Sequence, residues 1–238
     1  MTNVNTLIDG LSNFNITLTE DQVNKFVIYK SLLKEWNQKI NITSIEDDEE
    51  IDIKHFLDSL TPINTGLFKE KVKVIDVGTG GGFPGIPLKI YREDIEVVLL
   101  DSLNKRINYL NEVIKNLNLT DINAVHGRAE DFGQNKDYRE KFDIAVSRAV
   151  ASLNILSEYC LPFVKVGGYF ISMKGQDVEE EMKESSKAIS ILGGRVEKKV
   201  DVTIPNSDIT HSLIIIKKIK ETPTKYPRNA GKPKKNPL

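Results

Sequence analysis

A single cysteine in 238 residues cannot form an internal disulfide, so disulfide-stapled secreted scaffolds are excluded. That residue, Cys160, sits among Leu156, Tyr159 and Leu161 and reads as core. Three histidines and one thiol offer no metal-ligand spacing, so no metal is expected. Long hydrophobic runs are missing too: none approaches the ~18 residues of a membrane span, and no membrane partner is expected. Met1-Thr2-Asn3-Val4-Asn5 lacks the basic and apolar regions of a signal peptide, which makes the cytosol the expected compartment. Charge of either sign is nearly balanced, at a net −1. That balance conceals an uneven spread. Eight Lys and Arg against Glu221 give residues 217–238 a net +7, which leaves −8 on the rest. A mildly acidic body with a basic end suggests a polyanion reached from that end. The bland alternative is a solvated tail.

What the chain does have is a glycine-rich loop between a strand and a helix. Val72-Lys73-Val74-Ile75 is an apolar run, and Ile86-Pro87-Leu88-Lys89-Ile90-Tyr91 reads as the first turns of a helix. Between them runs Asp76-Val77-Gly78-Thr79-Gly80-Gly81-Gly82-Phe83-Pro84-Gly85. A strand, a glycine-rich turn and a helix start form a nucleotide-cofactor site. Two cofactors compete for it. Gly80-x-Gly82-x-x-Gly85 fits the dinucleotide fingerprint, and Asp101 lies about 20 residues on, where a ribose acid belongs. Yet Asp76 would set a carboxylate beside a pyrophosphate. Pro84 and Pro87 also remove N–H donors that a phosphate at a helix start would use. S-adenosylmethionine carries no phosphate, and its ammonium and sulfonium suit Asp76. Its ribose hydroxyls suit Asp101. These residues therefore favour S-adenosylmethionine over NAD.

The remaining pattern places that loop. Residues 1–66 read as a helical region separate from the cofactor fold. Thr19 and Gln22 form a capping box, and Val23, Phe26, Tyr29, Leu32, Leu33, Trp36 and Ile40 recur at helical spacing, as a core stripe does. A second helix is expected around His55, Leu57 and Leu60. From Lys71 strands and helices alternate, with strands over 72–77, 97–101, 122–126, 142–147 and 168–173. Helices fit 86–92, 104–117, 152–163 and 176–192. After Gly193-Gly194 come two strands, Arg195–Ile204 and Ser212–Ile219, joined by Pro205-Asn206-Ser207. Such alternation predicts an α/β fold: a doubly wound, seven-stranded Rossmann-like methyltransferase sheet with an N-terminal helical extension. The expected division is 1–66, a cofactor-binding domain over 67–220, and a basic tail over 221–238. Ligands in such sheets bind beyond the C-terminal strand ends. Those tips are Asp76–Gly82, Asp101, Gly127–Glu130, Ser147-Arg148 and Lys174-Gly175.

At the level of motifs the chain resembles the ribosomal RNA small-subunit methyltransferase G family, also called glucose-inhibited division protein B. The matching pieces run nearly end to end. They are Asn41-Ile42-Thr43, His55-Phe56-Leu57-Asp58-Ser59-Leu60, Asp76–Leu88 and Leu100-Asp101-Ser102-Leu103-Asn104-Lys105-Arg106. Gly127-Arg128-Ala129-Glu130, Ser147-Arg148-Ala149, Lys174-Gly175 and Tyr226-Pro227-Arg228-Asn229-Ala230-Gly231 complete them. The resemblance implies a bacterial enzyme that methylates N7 of one guanine in small-subunit (16S) rRNA. Its implied partner is that rRNA or the assembled or assembling small subunit, approached as a monomer. By family analogy Gly78 and Phe83 line the cofactor, Ala129 and Glu130 contact its adenosine, and Arg148 stands beside the reaction centre. Gly80, Asp76 and Asp101 join the cofactor set from the general methyltransferase pattern, and Arg148 is counted in that set as well.

Arg148 and Lys174 are the catalytic candidates. Structural alternatives are an ion pair of Arg148 with Asp143 or Glu158, and a solvated strand end for Lys174. Lys54, His55, Arg228, Lys232, Lys234 and Lys235 are the RNA-binding candidates. Relatives are expected to carry Arg where this chain has Lys54, which keeps the charge but loses the bidentate fork. Guanine N7 has a lone pair and no proton, so no general base is required. A carboxylate near the ring would offset the charge that methylation creates, and Glu130 or Asp101 are the nearest by sequence. The tail is expected to engage RNA with little effect on the cofactor. A small-molecule methyltransferase, an NAD(P)-dependent oxidoreductase and an RNA-binding ribosome-assembly factor are the alternatives.

Overall fold

The computed structural model describes residues 3–148, 151–176, 178–205 and 207–238. Helix α1 (Asn5–Ser12) precedes the long α2 (Glu20–Ile40). Thr19 and Gln22 form the expected capping box at its start. At its end Asn41 takes the left-handed conformation, and Asn37 Oδ1 accepts from the backbone N–H of Ile42 and Thr43. The second helix is not a single one. It runs as α3 (Asp48–Ile51), a π-helical stretch (Asp52–Leu57), α4 (Asp58–Leu60) and a 3₁₀ turn (Thr61–Thr65) entered through Pro62. The wider π-helical turn re-aims side chains relative to an α-helix.

The expected alternation follows. It consists of β1 (Lys73–Val77), α5 (Gly85–Tyr91), β2 (Glu96–Asp101), α6 (Asn104–Asn116), β3 (Ile122–His126), α7 (Ala129–Phe132) and β4 (Phe142–Arg148). Then come α8 (Leu153–Cys160), β5 (Val164–Lys174), α9 (Glu179–Ile191), β6 (Gly194–Thr203), β7 (Thr210–Lys218) and the short α10 (Lys232–Lys235). The helix expected over 152–163 stops early because Pro162 turns Leu161–Phe163 into a 3₁₀ segment. Of the turn expected between the last two strands, Asn206 lies outside the described residues, as does Ala149 of the Ser147-Arg148-Ala149 motif.

The seven strands form one sheet in the order β3-β2-β1-β4-β5-β7-β6. Strands β1 to β5 are parallel, and β7 inserts antiparallel between β5 and β6. Central strands are apolar on both faces because helices cover both. Val74, Ile75, Leu99, Val146 and Ile171 are accordingly buried. The edge strand β6 is largely polar and carries a bulge near Val196, which discourages edge-to-edge pairing.

Residues 3–66 share one core with the sheet. Phe26, Tyr29, Leu33 and Phe56 join one continuous cluster with Val74, Phe83, Ile86 and Leu99. Trp36 packs on Tyr109 of α6 at 5.8 Å between ring centroids. Gln22 Nε2 donates to the carbonyls of Ile90 and Tyr91 at the end of α5. The helical region thus roofs one face of the sheet and brings its π-helical stretch to the C-terminal strand ends.

Candidate active site

The glycine loop after β1 is held from three sides. Asp76 Oδ2 accepts from Thr79 Oγ1 at 2.7 Å and from the Gly85 backbone N–H at 2.8 Å. Gly80 N–H donates to Asp101 Oδ2 at 2.9 Å. Tyr29 Oη donates to the Gly81 carbonyl at 2.6 Å. Gly80 and Gly82 carry φ of +60° and +98°, a region that favours glycine. A Cβ on Gly85 would stand 2.3 Å from Leu99 Cδ2 and 2.9 Å from Asp76 Oδ2. Asp76 is fully buried, and burial pushes its carboxyl up to about 7. Its Oδ1 has no hydrogen-bond partner among the described residues. The start of α5 is therefore capped from within by Asp76, which takes an N–H that the phosphate of a dinucleotide would use.

Two cavities open at the strand ends. The first, about 430 Å³, lies over β1, β2 and β3. Gly78, Asp101, Leu103, Ala129, Glu130 and Tyr159 line it, and Gly231 and Lys234 close it from the C-terminal segment. Asp101 Oδ1 accepts from Leu103 N–H, and Arg106 approaches Oδ2 at 3.3 Å. Oδ1, with this one donor, retains acceptor capacity for a hydroxyl, whereas Oδ2 already accepts from Gly80 and Arg106. Leu103, Ala129 and Tyr159 offer apolar surface for an adenine ring, and Asp101 offers an acceptor for ribose hydroxyls.

The second cavity, about 660 Å³, lies over β4, β5 and β7. Lys54, His55, Asp58, Arg148, Lys174 and His211 supply its polar lining. Arg148 at the end of β4 is the hub. Its Nη1 donates to the Lys54 carbonyl at 2.8 Å and to Asp58 Oδ2 at 2.7 Å, and its Nη2 meets His55 Nδ1 at 3.2 Å. Its guanidinium sits 5.0 Å from the Phe83 ring centroid. An arginine can only donate, so His55 Nδ1 must accept and its proton resides on Nε2. That Nε2 faces Thr43 Oγ1 at 2.8 Å. Burial, then the Arg148 charge, lowers the His55 pKa to about 3, so the ring is neutral. His55 stacks on Phe83 at 4.5 Å, and Phe83 stacks in turn on Tyr29. Lys174 is held by the Ala151 carbonyl and Glu181 Oε1, both at 2.7 Å.

A family model described as rRNA small subunit methyltransferase G (GidB) matches residues 22–210. A curated relative from Alkaliphilus oremlandii, named ribosomal RNA small subunit methyltransferase G, is 57% identical over 98% of this chain and 97% of its own length. The chain belongs to the rRNA small subunit methyltransferase G family. A second methyltransferase G, from Acetivibrio thermocellus, is 58% identical over 98% of this chain and 95% of its own. The solved structure of M. jannaschii TYW2 in complex with AdoMet is 16% identical, with a TM-score of 0.52 over 68% of this chain and 77% of that one. That likeness concerns the fold.

Within this methyltransferase G chain the expected site residues separate into groups. Gly78, Asp101, Ala129 and Glu130 converge on the cavity over β1–β3, and Lys54, His55, Arg148 and Lys174 on the one over β4–β7. Gly80 reaches the first cavity's wall through its bond to Asp101. Asp76 and Phe83 line neither. Asp76 is turned beneath the loop it ties, and Phe83 is packed between Tyr29 and His55. The partner of Arg148 is Asp58 rather than Asp143 or Glu158. Asp143 pairs with Lys165 instead, and Glu158 with Arg228. Glu130 and Asp101 stand over the first three strands, whereas the carboxylate that lines the second cavity is Asp58.

The basic C-terminal segment packs against the body, beside the first cavity. Arg228 is chelated by the buried Glu158, with Nε and Nη2 bonds at 2.9 and 2.6 Å. Gly231 N–H donates to Glu130 Oε1 at 2.9 Å, and Arg139 donates to the carbonyls of Thr222 and Tyr226. Lys232, Lys234 and Lys235 remain exposed. Sequence reasoning also missed Asp58, His211, Tyr29 and Glu158 as parts of this site. Asp58 had a signal, since it stands one helical turn after Lys54 and His55. His211 had none beyond being a polar residue at the mouth of an apolar strand.

Proposed function

We propose that this chain methylates N7 of a guanine in small-subunit rRNA, with S-adenosylmethionine as methyl donor. One observation carries the reading. Two cavities lie on either side of the β1–β4 boundary, where the strand order reverses, one suited to an adenosyl group and the other to a polar base. S-adenosylmethionine, when bound, supplies an electrophilic methyl group. Gly78, Asp101, Ala129 and Glu130 would hold it, and Asp76 with Tyr29 fixes the loop that orients it. The N7 lone pair would take that methyl group, and the carbon–sulfur bonding pair would return to sulfur. N7 bears no proton, so no general base is required, and His55, with both nitrogens engaged, serves as none.

Rate enhancement then comes from alignment, worth up to roughly 7–11 kcal/mol in favourable cases. Arg148 cannot occupy N7 itself. Three of its five N–H groups are used among the described residues, which leaves donors for guanine O6 or a phosphate. Lys174, held in place by Glu181, serves the same polyanion. Lys54, Lys232, Lys234 and Lys235 contribute phosphate contacts, and Arg228 anchors the segment that carries the last three. An extruded base fits a cavity of this size. The ribosomal substrate implies the cytoplasm, and one chain supplies both cavities, consistent with a monomer.

Transfer of labelled methyl from S-adenosylmethionine to small-subunit particles lacking the modification tests this. Label in 7-methylguanosine after nucleoside digestion is the expected result. Label confined to a small metabolite, or RNA binding without transfer, would contradict it.

A further inference from the structure

The second cavity is unevenly equipped for a base. Lys54, Arg148 and Lys174 are donors only. Both ring nitrogens of His55 are committed to Thr43 and Arg148. Acceptors on its side-chain lining come down to Asp58, His211 and the Thr210 hydroxyl. Asp58 gives Oδ2 to Arg148. Its Oδ1 is buried and has no hydrogen-bond partner among the described residues. The same holds for His211 Nε2, on a residue 8% exposed. The two atoms lie 3.2 Å apart without hydrogen-bond geometry. Asp58 of α4 and His211 of β7 both line this cavity, and each holds a buried polar atom whose desolvation nothing among the described residues offsets.

We infer that Asp58, with His211 beside it, reads the Watson–Crick edge of the target guanine. This rests on the functional reading above and deepens it. Guanine offers N1–H and the N2 amino group as adjacent donors on that edge, with N7 on the opposite side of the purine. A carboxylate accepts from both donors at once. Adenine places a lone pair at N1 and would face the carboxylate with repulsion. Pyrimidines have no N7. Holding guanine by this edge leaves N7 directed away from Asp58, toward the loop after β1. Methylation puts a positive charge on the purine and makes N1–H a stronger donor, so the contact strengthens as the bond forms. Lys54 and Lys174 remain available for the phosphates flanking the base.

The test is a cycle between residue and base. Reconstituted small-subunit particles carry guanosine or inosine at the mapped target, inosine lacking only the N2 amino group. The unaltered protein is expected to lose at least ~10-fold in kcat/KM on inosine, as a hydrogen bond to a charged group requires. Asp58→Asn is expected to lose at least ~100-fold on guanosine, and its guanosine-to-inosine ratio falls to within about twofold. Its S-adenosylhomocysteine affinity, measured by calorimetry, stays within about twofold of the parent, since Asp58 is remote from that cavity. His211→Gln keeps the question open should Asp58→Asn fail to fold: it is expected to reduce the ratio in part. A folded Asp58→Asn that retains the parental ratio would overturn the inference, because a residue that only props Arg148 lowers both rates alike. Equal rates of the unaltered protein on guanosine and inosine would also overturn it. No transfer to guanosine particles by the unaltered protein would instead overturn the functional reading, and this inference with it.

Discussion

His55 and Asp76 carry pH dependences of opposite sign. The folded pKa of His55 is lowered to about 3 by burial and by Arg148. Its contribution to stability is therefore full above the unfolded value near 6.5 and is lost as pH falls toward 3, at up to ~1.4 kcal/mol per pH unit. In His55→Gln the gap in Tm between pH 7 and pH 5 should shrink relative to the parent; an unchanged gap would mean the ring is not buried neutral. The folded pKa of Asp76 is raised to about 7, chiefly by burial. Its contribution is full below the unfolded value near 4 and is lost as pH rises through about 7. Asp76→Asn, isosteric with the protonated acid, should accordingly gain on the parent as pH rises from 4 to 8 in thermal melts. No gain would place a charged partner at Asp76 Oδ1.

The C-terminal segment is the element whose role changes most when its contacts are counted. Its charge suggests a free RNA-binding arm, yet Arg228, Gly231 and Lys234 join it to the first cavity. Arg228→Ala leaves the Glu158 carboxylate, 1% exposed, without its cation. Loss of about 3 kcal/mol in urea unfolding is expected. Deletion of residues 224–238 should weaken S-adenosylhomocysteine binding at least ~10-fold in calorimetry, because the cavity loses a wall and Glu130 a donor. Intact cofactor affinity after that deletion would restore the free-arm picture. The reason the sequence misleads here is physical. Net charge registers the lysines but not the acids, Glu158 and Glu130, that fold back onto the segment from 70 and 101 residues away. The alternating strands were legible because their apolar runs are local and short. The glycine loop was legible because its conformation demands glycine at fixed places. The broken second helix was not, since a π-helical stretch has the same residue preferences as the helix it interrupts.

Across the whole molecule the sheet acts as a divider. Strands β1–β3 present acids and an internally capped helix start, and β4, β5 and β7 present cations around Asp58. Asp58 and His211 approach each other from opposite ends of the sequence, so no spacing motif could announce them. Exposed Lys232 and Lys235 lie beyond the cofactor cavity on the same docked segment. Replacing both with alanine should lower the salt dependence of rRNA binding by up to ~0.9 in log–log slope per lysine while cofactor affinity holds. An unchanged slope would remove them from the RNA footprint. The division of labour itself is tested most directly by a crystal structure with S-adenosylhomocysteine. Adenosine is expected among Asp101, Ala129 and Glu130 under the C-terminal segment, with the cavity of Asp58, Arg148 and His211 left for the base. Adenosine found among Asp58, Arg148 and His211 would contradict it.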